Sequence, residues 1–487
     1  AQESRGLGDV YKRQMLNPQL NFLISAIHRG CCMSTKDILL WMKRKNDEIC
    51  YHLQQIPLQN LKDWTDKNDK ISHSTGKFFS IQGIRVSTNY GLVPQWDQPI
   101  INQPEIGFLG FIVQRKQNVL HFLLQAKIEP GNLNVIQLSP TLQATRSNYT
   151  RVHKGRSPLY LEYFTGEKKV EILVDQLQSE QGARFYQKRN RNIIVEVDEN
   201  EELPVYENFV WASLGQIKEL LTYPNVINMD TRTVISCIQY GNYSEKDLQL
   251  LSVFRLDTNL GHSDSFLYSV LSSDNHYNTM NSIIRWLTSL KFKYELNVDK
   301  IGLSEMNNWI YDGNVIEHKD KKYFSVIGVD VSIGNREVTH WDQPMVKAAQ
   351  EGIMGFLVKK INGIYHFLVQ AKLECGNFDI VELAPTVQCL TGNYRNGQNE
   401  YSIPYIDNFL NADIKDIWYQ TYQSEEGGRF FKEQNLNIIV EVHDDFSVEV
   451  EENYCWMTLN QMLRLVNYNN FLNIAARSLL SAVQFYK

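Results

Sequence analysis

The spacing of hydrophobic residues in the first half of the chain predicts helices near its two ends and strands between them. Residues 36–56 follow Ser34-Thr35, a pair typical of a helix N-terminus, and their apolar positions predict one capped amphipathic helix. Two shorter helices are predicted at 213–221, with Ser213 as the cap, and at 230–238. Strands are predicted from alternating or continuous apolar runs, at 77–86, 107–114, 119–128, 135–138 and 192–197. This order of elements is typical of an α+β protein with a mixed sheet flanked by helices.

Three polar segments interrupt this pattern and are predicted to be turns or loops. Residues 115–118 form the turn of a hairpin, because the second half has Asn362-Gly363 at that place and this pair tolerates positive φ. The segment WDQP at 96–99 is predicted to end a polar loop, since Pro99 limits any strand there. Residues 175–187 are predicted to be a loop that leads into a short helix.

The chain contains a long internal repeat that includes its polar residues. Residues 125–149 (QAKIEPGNLNVIQLSPTLQATRSNY) return 245 residues later, without a gap, as 370–394 (QAKLECGNFDIVELAPTVQCLTGNY). A bland exposed surface would not need to repeat its polar side chains, so their retention points to a functional surface. The retained polar pairs are Gln125/Gln370, Lys127/Lys372, Glu129/Glu374, Asn132/Asn377, Thr141/Thr386, Gln143/Gln388, Asn148/Asn393 and Tyr149/Tyr394.

The repeat predicts two tandem homologous modules. Its period is too long for a solenoid unit of about 20–50 residues and fits two domains of ordinary size. We expect the modules at 15–240 and 275–487, joined by residues 241–274, which have no counterpart at the start of the first module. Residues 1–14 share nothing with the repeat and resemble translated linker sequence, so they are left out of the fold prediction.

Composition and charge argue against several classes of protein. The 487 residues are 43% hydrophobic and 21% charged, as in a globular protein. The net charge is −6 with no basic block, which argues against nucleic-acid binding. No apolar run reaches the roughly 18 residues of a membrane span. Seven cysteines at irregular spacing, with no CxxC pair, predict reduced thiols in a cytoplasmic protein.

The common cofactor and metal motifs are absent from the sequence. There is no GxxxxGK[ST] loop, no GxGxxG after a strand, no HExxH, no clustered His/Cys set and no GxSxG elbow. We therefore expect neither a bound cofactor nor a metal, which argues against a kinase, a nicotinamide enzyme or a metallohydrolase. Chemistry that needs only acids, bases and hydrogen-bond donors remains open.

Gln125, Lys127 and Glu129 alternate along a predicted strand and so share one face. Three polar side chains on one face of an apolar strand either face solvent or line a polar pocket. Their repetition in the second half favours the pocket. A desolvated lysine beside a carboxylate is a plausible acid–base pair.

A second polar segment, residues 147–153, differs between the two halves. Tyr149, Arg151 and His153 could bind a phosphate and move a proton, or the segment could be an ordinary polar loop. The second half has no histidine at the place of His153, and NMDTRT at 228–233 becomes NIAARS at 473–478. We infer that the first module holds the working site and that the second is structural, regulatory or a weaker binding site.

Two conspicuous kinds of side chain are more often structural than functional. Trp96 and Trp211 could stack on a base or a sugar, although tryptophans at such positions are more often part of the core. His121, alone in an apolar strand, is predicted to be a core histidine with satisfied hydrogen bonds.

Several long motifs resemble the NDP-hexose 2,3-dehydratases. The motifs are QAKIEPGN, QLSPTLQAT, SNYTRVH, DQLQSEQGARFYQKRNRNIIVEV and VINMDTRTVISC, and the resemblance covers nearly the whole chain in both halves. It implies two tandem modules similar to Nudix hydrolases, and a homodimer. The chain has no Nudix box with an REXXEE core, which argues against magnesium-dependent pyrophosphate hydrolysis.

The resemblance also implies a reaction, the removal of water across C2–C3 of a dTDP-4-keto-6-deoxy sugar. A base removes the C3 hydrogen, donors stabilise the enolate, and an acid helps the C2 hydroxyl leave. No redox cofactor or metal is required. We expect His153 or Glu129 to be the base, and Tyr149 or Lys127 to stabilise the enolate or protonate the leaving hydroxyl.

The remaining residues in the family's motifs are expected to bind the substrate. Arg151 and Arg184 suit the diphosphate, because the guanidinium fork matches phosphate oxygens. The full set of expected binding residues is Gln125, Asn132, Asn148, Arg151, Glu180, Arg184 and Trp96.

The expected partners follow from the same chemistry. The 3,4-diketo product is unstable, so we expect a 3-ketoreductase to act next. The alternatives are a sugar-nucleotide binding protein without catalysis, which the full set of polar motifs in the first half disfavours, and a Nudix-like hydrolase of the nucleotide sugar, which the missing Nudix box disfavours.

Overall fold

The computed structural model of the protein describes residues 18–30, 32–145, 157–244, 248, 264–274, 276–334, 339–390 and 402–485. Its α-helices are α1 (Pro18–Ile27), α2 (Thr35–Asp47), α3 (Leu214–Leu220), α4 (Met229–Ser236), α5 (Asp264–Leu271), α6 (Met280–Lys293), α7 (Ile406–Leu410), α8 (Leu459–Val466) and α9 (Ile474–Ala482). The strands of the first half are β1 (Tyr51–Ile56), β2 (Trp64–Asp66), β3 (Ile71–His73), β4 (Ser80–Thr88), β5 (Gln95–Asn102), β6 (Phe108–Lys116), β7 (Val119–Ile128), β8 (Ile136–Ser139), β9 (Leu142–Ala144), β10 (Glu171–Ser179), β11 (Arg189–Glu196) and β12 (Phe209–Ser213). Those of the second half are β13 (Leu296–Ile301), β14 (Trp309–Tyr311), β15 (Val315–His318), β16 (Phe324–Ile333), β17 (His340–Ala348), β18 (Gly352–Ile361), β19 (Ile364–Lys372), β20 (Glu382–Ala384), β21 (Val387–Leu390), β22 (Ile417–Ser424), β23 (Gln434–Val442) and β24 (Tyr454–Met457).

Side-chain caps fix where the helices begin. The Ser213 hydroxyl accepts a hydrogen bond from the backbone of Gln216, and the Gln216 side chain returns one to the Ser213 backbone, which confirms the predicted start of α3. Ser34 caps α2 in the same way as predicted, through the backbone N–H of Asp37. The prediction of a single helix over 36–56 is wrong. Helix α2 ends at Asp47, and residues 51–56 form strand β1.

Each half contains a seven-stranded mixed sheet. In the first half the order is β10-β11-β6-β7-β12, with β8 on β7 and β9 on β6, and β11 runs parallel to β6 while the other pairs are antiparallel. The second half repeats this order with β22-β23-β18-β19-β24. The predicted hairpin turn is confirmed, since Gln117 and Asn118 both have positive φ, at 51° and 65°. The protein is therefore α+β, with two homologous sheet-rich halves.

The two halves exchange a strand. Strand β1 of the first half pairs antiparallel with β16 of the second, and β13 of the second half pairs antiparallel with β4 of the first. Each of the two five-stranded sheets is therefore built from both halves. An exchanged strand completes its hydrogen bonds only on the other half, so neither half forms a complete structure from its own residues.

The WDQP segments lie at this exchange. The indole of Trp64 donates to the backbone carbonyl of Asp342 over 2.9 Å, and the indole of Trp309 donates to that of Asp97 over 2.6 Å. Asp97 and Asp342 are the aspartates of the two WDQP segments, which lie in strands β5 and β17 and not in loops. Pro99 is compatible with β5 because at Pro99 this strand is paired with β4 alone, and the bridge on its other side, to Phe185, lies at Ile101.

Two further predictions from the sequence need correction. Residues 175–187 do not form a loop and short helix; β10 runs to Ser179 and a turn follows. The end of the joining segment 241–274 does have a counterpart, because helix α5 packs on the second half as α1 packs on the first. Ser25 in α1 donates to the carbonyl of Leu120 over 2.6 Å, and Ser269 in α5 donates to that of Tyr365 over 2.6 Å.

The hydrophobic core is continuous between the halves. Helices α4 and α9 pack on each other where the two large sheets meet, and the same core cluster contains Val234 from one and Leu479 from the other. Arg232 and Arg477, each 1% exposed, cross this boundary. Arg232 donates to the carbonyl of Ser424, and Arg477 donates from Nε to the Thr233 hydroxyl over 3.2 Å. Among the described residues, no helix is long and apolar enough to cross a membrane.

The strand exchange predicts that the halves depend on each other. We expect residues 18–244 and 264–487, produced as separate chains, not to fold as monomers, because each would lack one strand of its five-stranded sheet and expose its own exchanged strand. Mixing the two chains should restore a complex of one copy of each. Size-exclusion chromatography and circular dichroism on each chain alone and on the mixture measure this. A folded monomer from either chain alone would contradict it.

Candidate active site

Strand β7 places Lys127 beside Glu129 in a buried polar pocket. The Lys127 ammonium lies 3.8 Å from Glu129 Oε1, and Glu129 is only 5% exposed. Gln143 on β9 donates from Nε2 to the same oxygen over 2.7 Å, and its backbone carbonyl accepts from Lys127 over 3.4 Å. Asn228, the cap of α4, donates to the Gln143 side chain over 3.2 Å. Of the two interpretations left open by the sequence, this burial supports the pocket and not the solvent.

The second half closes this pocket through its backbone. Gly131, in the turn after β7, donates to the carbonyl of Gly427 over 2.7 Å, and Lys432 donates to the carbonyl of Gly131 over 2.9 Å. Both glycines are required by the close approach. A Cβ on Gly427 would lie 2.1 Å from Asn132 Oδ1, and one on Gly131 would lie 1.7 Å from the carbonyl oxygen of Phe430. The turn 425–432 of the second half therefore forms one wall of a pocket in the first.

This turn brings Arg429 into the pocket. Its guanidinium stacks 4.2 Å above the ring of Phe79 and donates to Gln103 over 3.3 Å, both in the first half. The WDQP segment of the second half supports the turn, because the Trp341 indole donates to Gln343 and the Gln343 amide donates to the carbonyl of Gly428 over 2.7 Å. Arg429 Nε has no hydrogen-bond partner among the described residues.

Two more carboxyl groups join Glu129 in this pocket. Asp230, in the first turn of α4, is 3% exposed, and Glu426 comes from the turn of the second half. Burial, and then the charges of Glu180 and Glu129, raise the pKa of Asp230 well above its ordinary value. Burial, followed by the charge of Glu129, raises the pKa of Glu426 to about 7.

We call this pocket site 1. Its charged and amide residues come from both halves: Lys127, Glu129, Gln143, Asn228 and Asp230 from the first, and Glu426 and Arg429 from the second.

The repeat builds a second pocket, site 2, around Lys372 and Glu374. Gln388 donates to Glu374 Oε1 over 2.8 Å, as Gln143 does to Glu129. The turn 180–187 of the first half closes site 2, since Gly376 donates to the carbonyl of Gly182 over 2.7 Å. Arg184 stacks 4.0 Å above Phe324, as Arg429 does on Phe79. Site 2 differs in its acids, because the positions of Asp230 and Glu426 are occupied there by Ala475 and Gln181.

Comparison with known proteins identifies the family. The sequence profile of the NDP-hexose 2,3-dehydratases matches residues 35–238 and again residues 280–483. The chain belongs to the NDP-hexose 2,3-dehydratase family. Three relatives carry the name dTDP-4-dehydro-6-deoxy-alpha-D-glucopyranose 2,3-dehydratase. The one from Saccharopolyspora spinosa is 42% identical over 454 residues, 92% of this chain and 91% of the relative.

The other two relatives cover the chain to a similar extent. The protein from Amycolatopsis orientalis is 36% identical over 472 residues, 95% of this chain and 92% of the relative. The protein from Streptomyces violaceoruber is 38% identical over 452 residues, 91% of this chain and 96% of the relative. The resemblance predicted from the motifs is thereby confirmed for both halves of this family member.

The structure separates some residues that the motifs grouped together. Arg184 lies in the electrostatic field of Glu433, Cys375 and Glu374, in site 2, and does not join Lys127 in site 1. The reason is that the turn of each half packs against the pocket of the other half, so each arginine lies in the pocket of the half to which it does not belong. The arginine that lies near Glu129 and Asp230 in site 1 is therefore Arg429 and not Arg184.

Trp96 likewise supports site 2. Its indole donates to Gln98 over 2.9 Å, the Gln98 amide donates to the carbonyl of Ala183 over 2.9 Å, and the ring packs in a cluster with Cys375. Trp96 thus holds the turn that carries Arg184, which is a structural contact. The expected core histidine is confirmed, because His121 is fully buried with Nδ1 2.9 Å from the carbonyl of Val119.

The other expected substrate-binding residues in the first half have varied positions. Asn132 is buried in the turn after β7 and donates to the carbonyl of Val135 over 3.1 Å. Gln125 lies on β7, two residues before Lys127. Glu180 is 6% exposed and accepts from Asn190 over 2.6 Å. Four expected site residues lie outside the described residues: Asn148, Tyr149, Arg151 and His153.

No pattern in the sequence directly indicates that Glu426 and Arg429 complete the first pocket. Both lie in the half with fewer polar motifs, and their contribution depends on a crossing between distant turns. One signal was available, namely that Glu426 is an acid where the first half has the neutral Gln181. Within the described part of the chain, no group of three or more histidine, cysteine, aspartate or glutamate residues is arranged to hold a metal ion.

The glycine contact between the halves predicts a large effect of a small substitution. We expect Gly427→Ala to lower the free energy of unfolding by about 1–3 kcal/mol, because the added methyl group would collide with Asn132 in a packed turn. Urea titration followed by tryptophan fluorescence measures the change. Gly334→Ala is the matched control, since a Cβ there meets Cys50 at an ordinary 3.4 Å. Equal losses in the two variants would contradict the close contact described for Gly427.

Proposed function

We propose that the protein is a hydro-lyase that removes water across C2–C3 of dTDP-4-keto-6-deoxyglucose and yields a dTDP-3,4-diketo-2,6-dideoxy sugar. The observation that carries this proposal is the match to dehydratases of that name, which reaches 42% identity over 92% of the chain and includes both halves. The rivals are a non-catalytic sugar-nucleotide binding protein and a Nudix-like hydrolase. The acid-rich pocket of site 1 favours proton-transfer chemistry over binding alone.

The reaction needs a base, an enolate-stabilising donor and an acid. The C4 ketone acidifies the C3 hydrogen, so a base can remove it and leave negative charge on the C4 oxygen. The C2 hydroxyl then leaves with a proton from the acid, and the resulting enol becomes the C3 ketone. Each general acid or base contributes typically about 10²–10⁴-fold to the rate. The sequence of steps is redox-neutral.

Site 1 offers described residues for two of these roles. Glu129 has one oxygen held by Gln143 while its Oε2 has no hydrogen-bond partner among the described residues, so it suits the role of base. Lys127 suits stabilisation of the enolate, because its ammonium lies beside Glu129, the proposed base, and can contact the negative charge that forms there. His153 and Tyr149 remain the alternatives for these roles. Arg429, whose Nε has no hydrogen-bond partner within the described part of the chain, suits an anionic oxygen of the substrate.

We propose that each half has a Nudix-like fold, which the mixed sheet with its parallel pair β6–β11 supports. We also propose a homodimer, expected from the resemblance, and a cytoplasmic location, which the cysteine pattern supports. Because a 3,4-diketo sugar is reactive, a 3-ketoreductase is the class of enzyme that we propose acts next.

Incubation with dTDP-4-keto-6-deoxyglucose in deuterated water, with a chelator present, tests the reaction. We expect loss of one water and arrival of deuterium at C2, because the enol gains a solvent proton there as it becomes a ketone. Mass spectrometry and NMR of the sugar measure both. Unchanged substrate would support the binding protein, and release of a nucleoside monophosphate would support the hydrolase.

A pair of lysine substitutions tests which half works. We expect Lys127→Gln to lower kcat by about 10²–10⁴-fold, because the enolate loses its cationic partner. Lys372→Gln makes the same change in site 2 and should leave kcat close to that of the unchanged protein. Steady-state kinetics of water loss measure both variants. A large loss in Lys372→Gln with none in Lys127→Gln would place the working site in the second half.

A further inference from the structure

We propose that Glu426, a residue of the second half, is the acid that protonates the C2 hydroxyl as it leaves in site 1 of the first half. This inference rests on the proposed dehydration and adds a catalytic residue to it. It assigns the acid to a turn that lies about 300 residues from Lys127 in sequence, and it makes the working site a product of both halves.

The backbone contact between the halves fixes the position of Glu426. The neighbouring Gly427 accepts a hydrogen bond from Gly131, and a Cβ built on Gly427 would lie 3.0 Å from Cβ of Glu129. Glu426 Oε1 accepts from the backbone N–H of Gly428 over 3.0 Å, which orients the side chain. The charges of Glu129, Arg429, Glu180 and Lys127 act on Glu426, and the charge of Glu426 acts in turn on Asp230 and Lys188. These neighbours place its carboxyl in site 1.

The comparison of the two pockets singles out the same residue. Site 2 keeps the lysine, the glutamate, the glutamine and the arginine of site 1, as Lys372, Glu374, Gln388 and Arg184. The acids Asp230 and Glu426 are missing from it, since Ala475 and Gln181 stand in their places. The second half thus carries the acidic residue in the turn that closes site 1, and the first half carries its neutral isostere in the turn that closes site 2.

Accessibility distinguishes the two acids of site 1. Asp230 is 3% exposed in the first turn of α4, whereas Glu426 is partly exposed at the pocket wall. A group that gives a proton to a substrate must reach it, so Glu426 suits the acid and Asp230 suits a supporting role. Glu129 is surrounded by donors, Gln143 and Lys127, and acts as an acceptor. Two carboxyl groups in such different surroundings are the usual arrangement for an acid and a base.

The electronic steps balance with these two groups. The base takes the C3 proton, and the electrons of that C–H bond form the enolate. These electrons then form the C2–C3 double bond as the C2–O bond breaks, and the leaving hydroxyl takes the proton of Glu426 and departs as water. When the enol becomes the C3 ketone, its O–H proton returns to Glu426, the base releases the former C3 proton to solvent, and C2 takes a proton from solvent. Both groups regain their starting states.

The protonation of Glu426 is consistent with this role. Burial and the charge of Glu129 raise the pKa of its carboxyl to about 7, so it still holds a proton in a large fraction of molecules at neutral pH. An acid must be protonated to act. The rate should therefore fall as pH rises through about 7, while the base sets any decline on the acidic side.

Glu426→Gln separates the acid from the base. In deuterated water we expect this variant to exchange the C3 hydrogen of the substrate for deuterium, because the base is intact, while water loss falls by about 10²–10⁴-fold. NMR of recovered substrate measures the exchange, and mass spectrometry of the product measures water loss. The alkaline decline of kcat should also disappear. Water loss close to that of the unchanged protein, or equal loss of exchange and elimination, would overturn the assignment.

Three controls keep the result interpretable. Glu426→Asp retains a carboxyl group and should retain both measurable water loss and the alkaline decline; their absence would count against the acid role. Glu433→Gln removes a buried carboxyl beside Arg184 in site 2 and should leave kcat unchanged. The unchanged protein must itself release water from the substrate. If it neither exchanges nor eliminates, the proposed function fails; if it does both and Glu426→Gln also does both, only the assignment of Glu426 fails.

Discussion

Two backbone hydrogen bonds hold the turn after β7 against the turn that precedes β23, where Gly131 donates to Gly427 and Lys432 donates to Gly131. Such bonds require the two turns to approach so closely that a side chain on either glycine would collide with the other turn. The same contact occurs at Gly376 and Gly182. The exchange of strands β1 and β13 brings the two halves together. The contacts between the turns then close both polar pockets.

Burial of several charged groups in each closed pocket costs electrostatic free energy, and this cost determines which of the groups are ionised. A buried carboxylate is tolerated only when cations or donors accompany it, and otherwise it retains its proton. Site 1 combines Lys127 and Arg429 with three carboxyl groups, so the charges cannot all be compensated and some carboxyl groups stay protonated near neutral pH. A pocket that holds both an acceptor and a protonated acid is what an elimination without a redox step requires.

The local features of this fold were readable from the sequence, and the long-range ones were not. The hairpin at Gln117-Asn118 and the capped start of α3 follow from neighbouring residues, and both were predicted. The repeated polar face of β7 also predicted part of the pocket. Residues 51–56 were assigned to a helix because their apolar spacing continues that of α2, whereas their partner strand β16 lies in the other half. A local sequence pattern cannot indicate a partner so distant in the chain. The position of Glu426 in site 1 could not be predicted for the same reason.

The exchange also bears on how the two halves can diverge. Two identical copies of one module that exchanged a strand and a turn would form a symmetric dimer with two equal pockets. Any substitution would then appear in both. Once the two copies are joined in one chain, each turn can change alone, so an acid can remain in the turn that serves one pocket while a glutamine occupies the other. Fusion of the copies is therefore what allows one pocket to specialise while the other keeps the architecture.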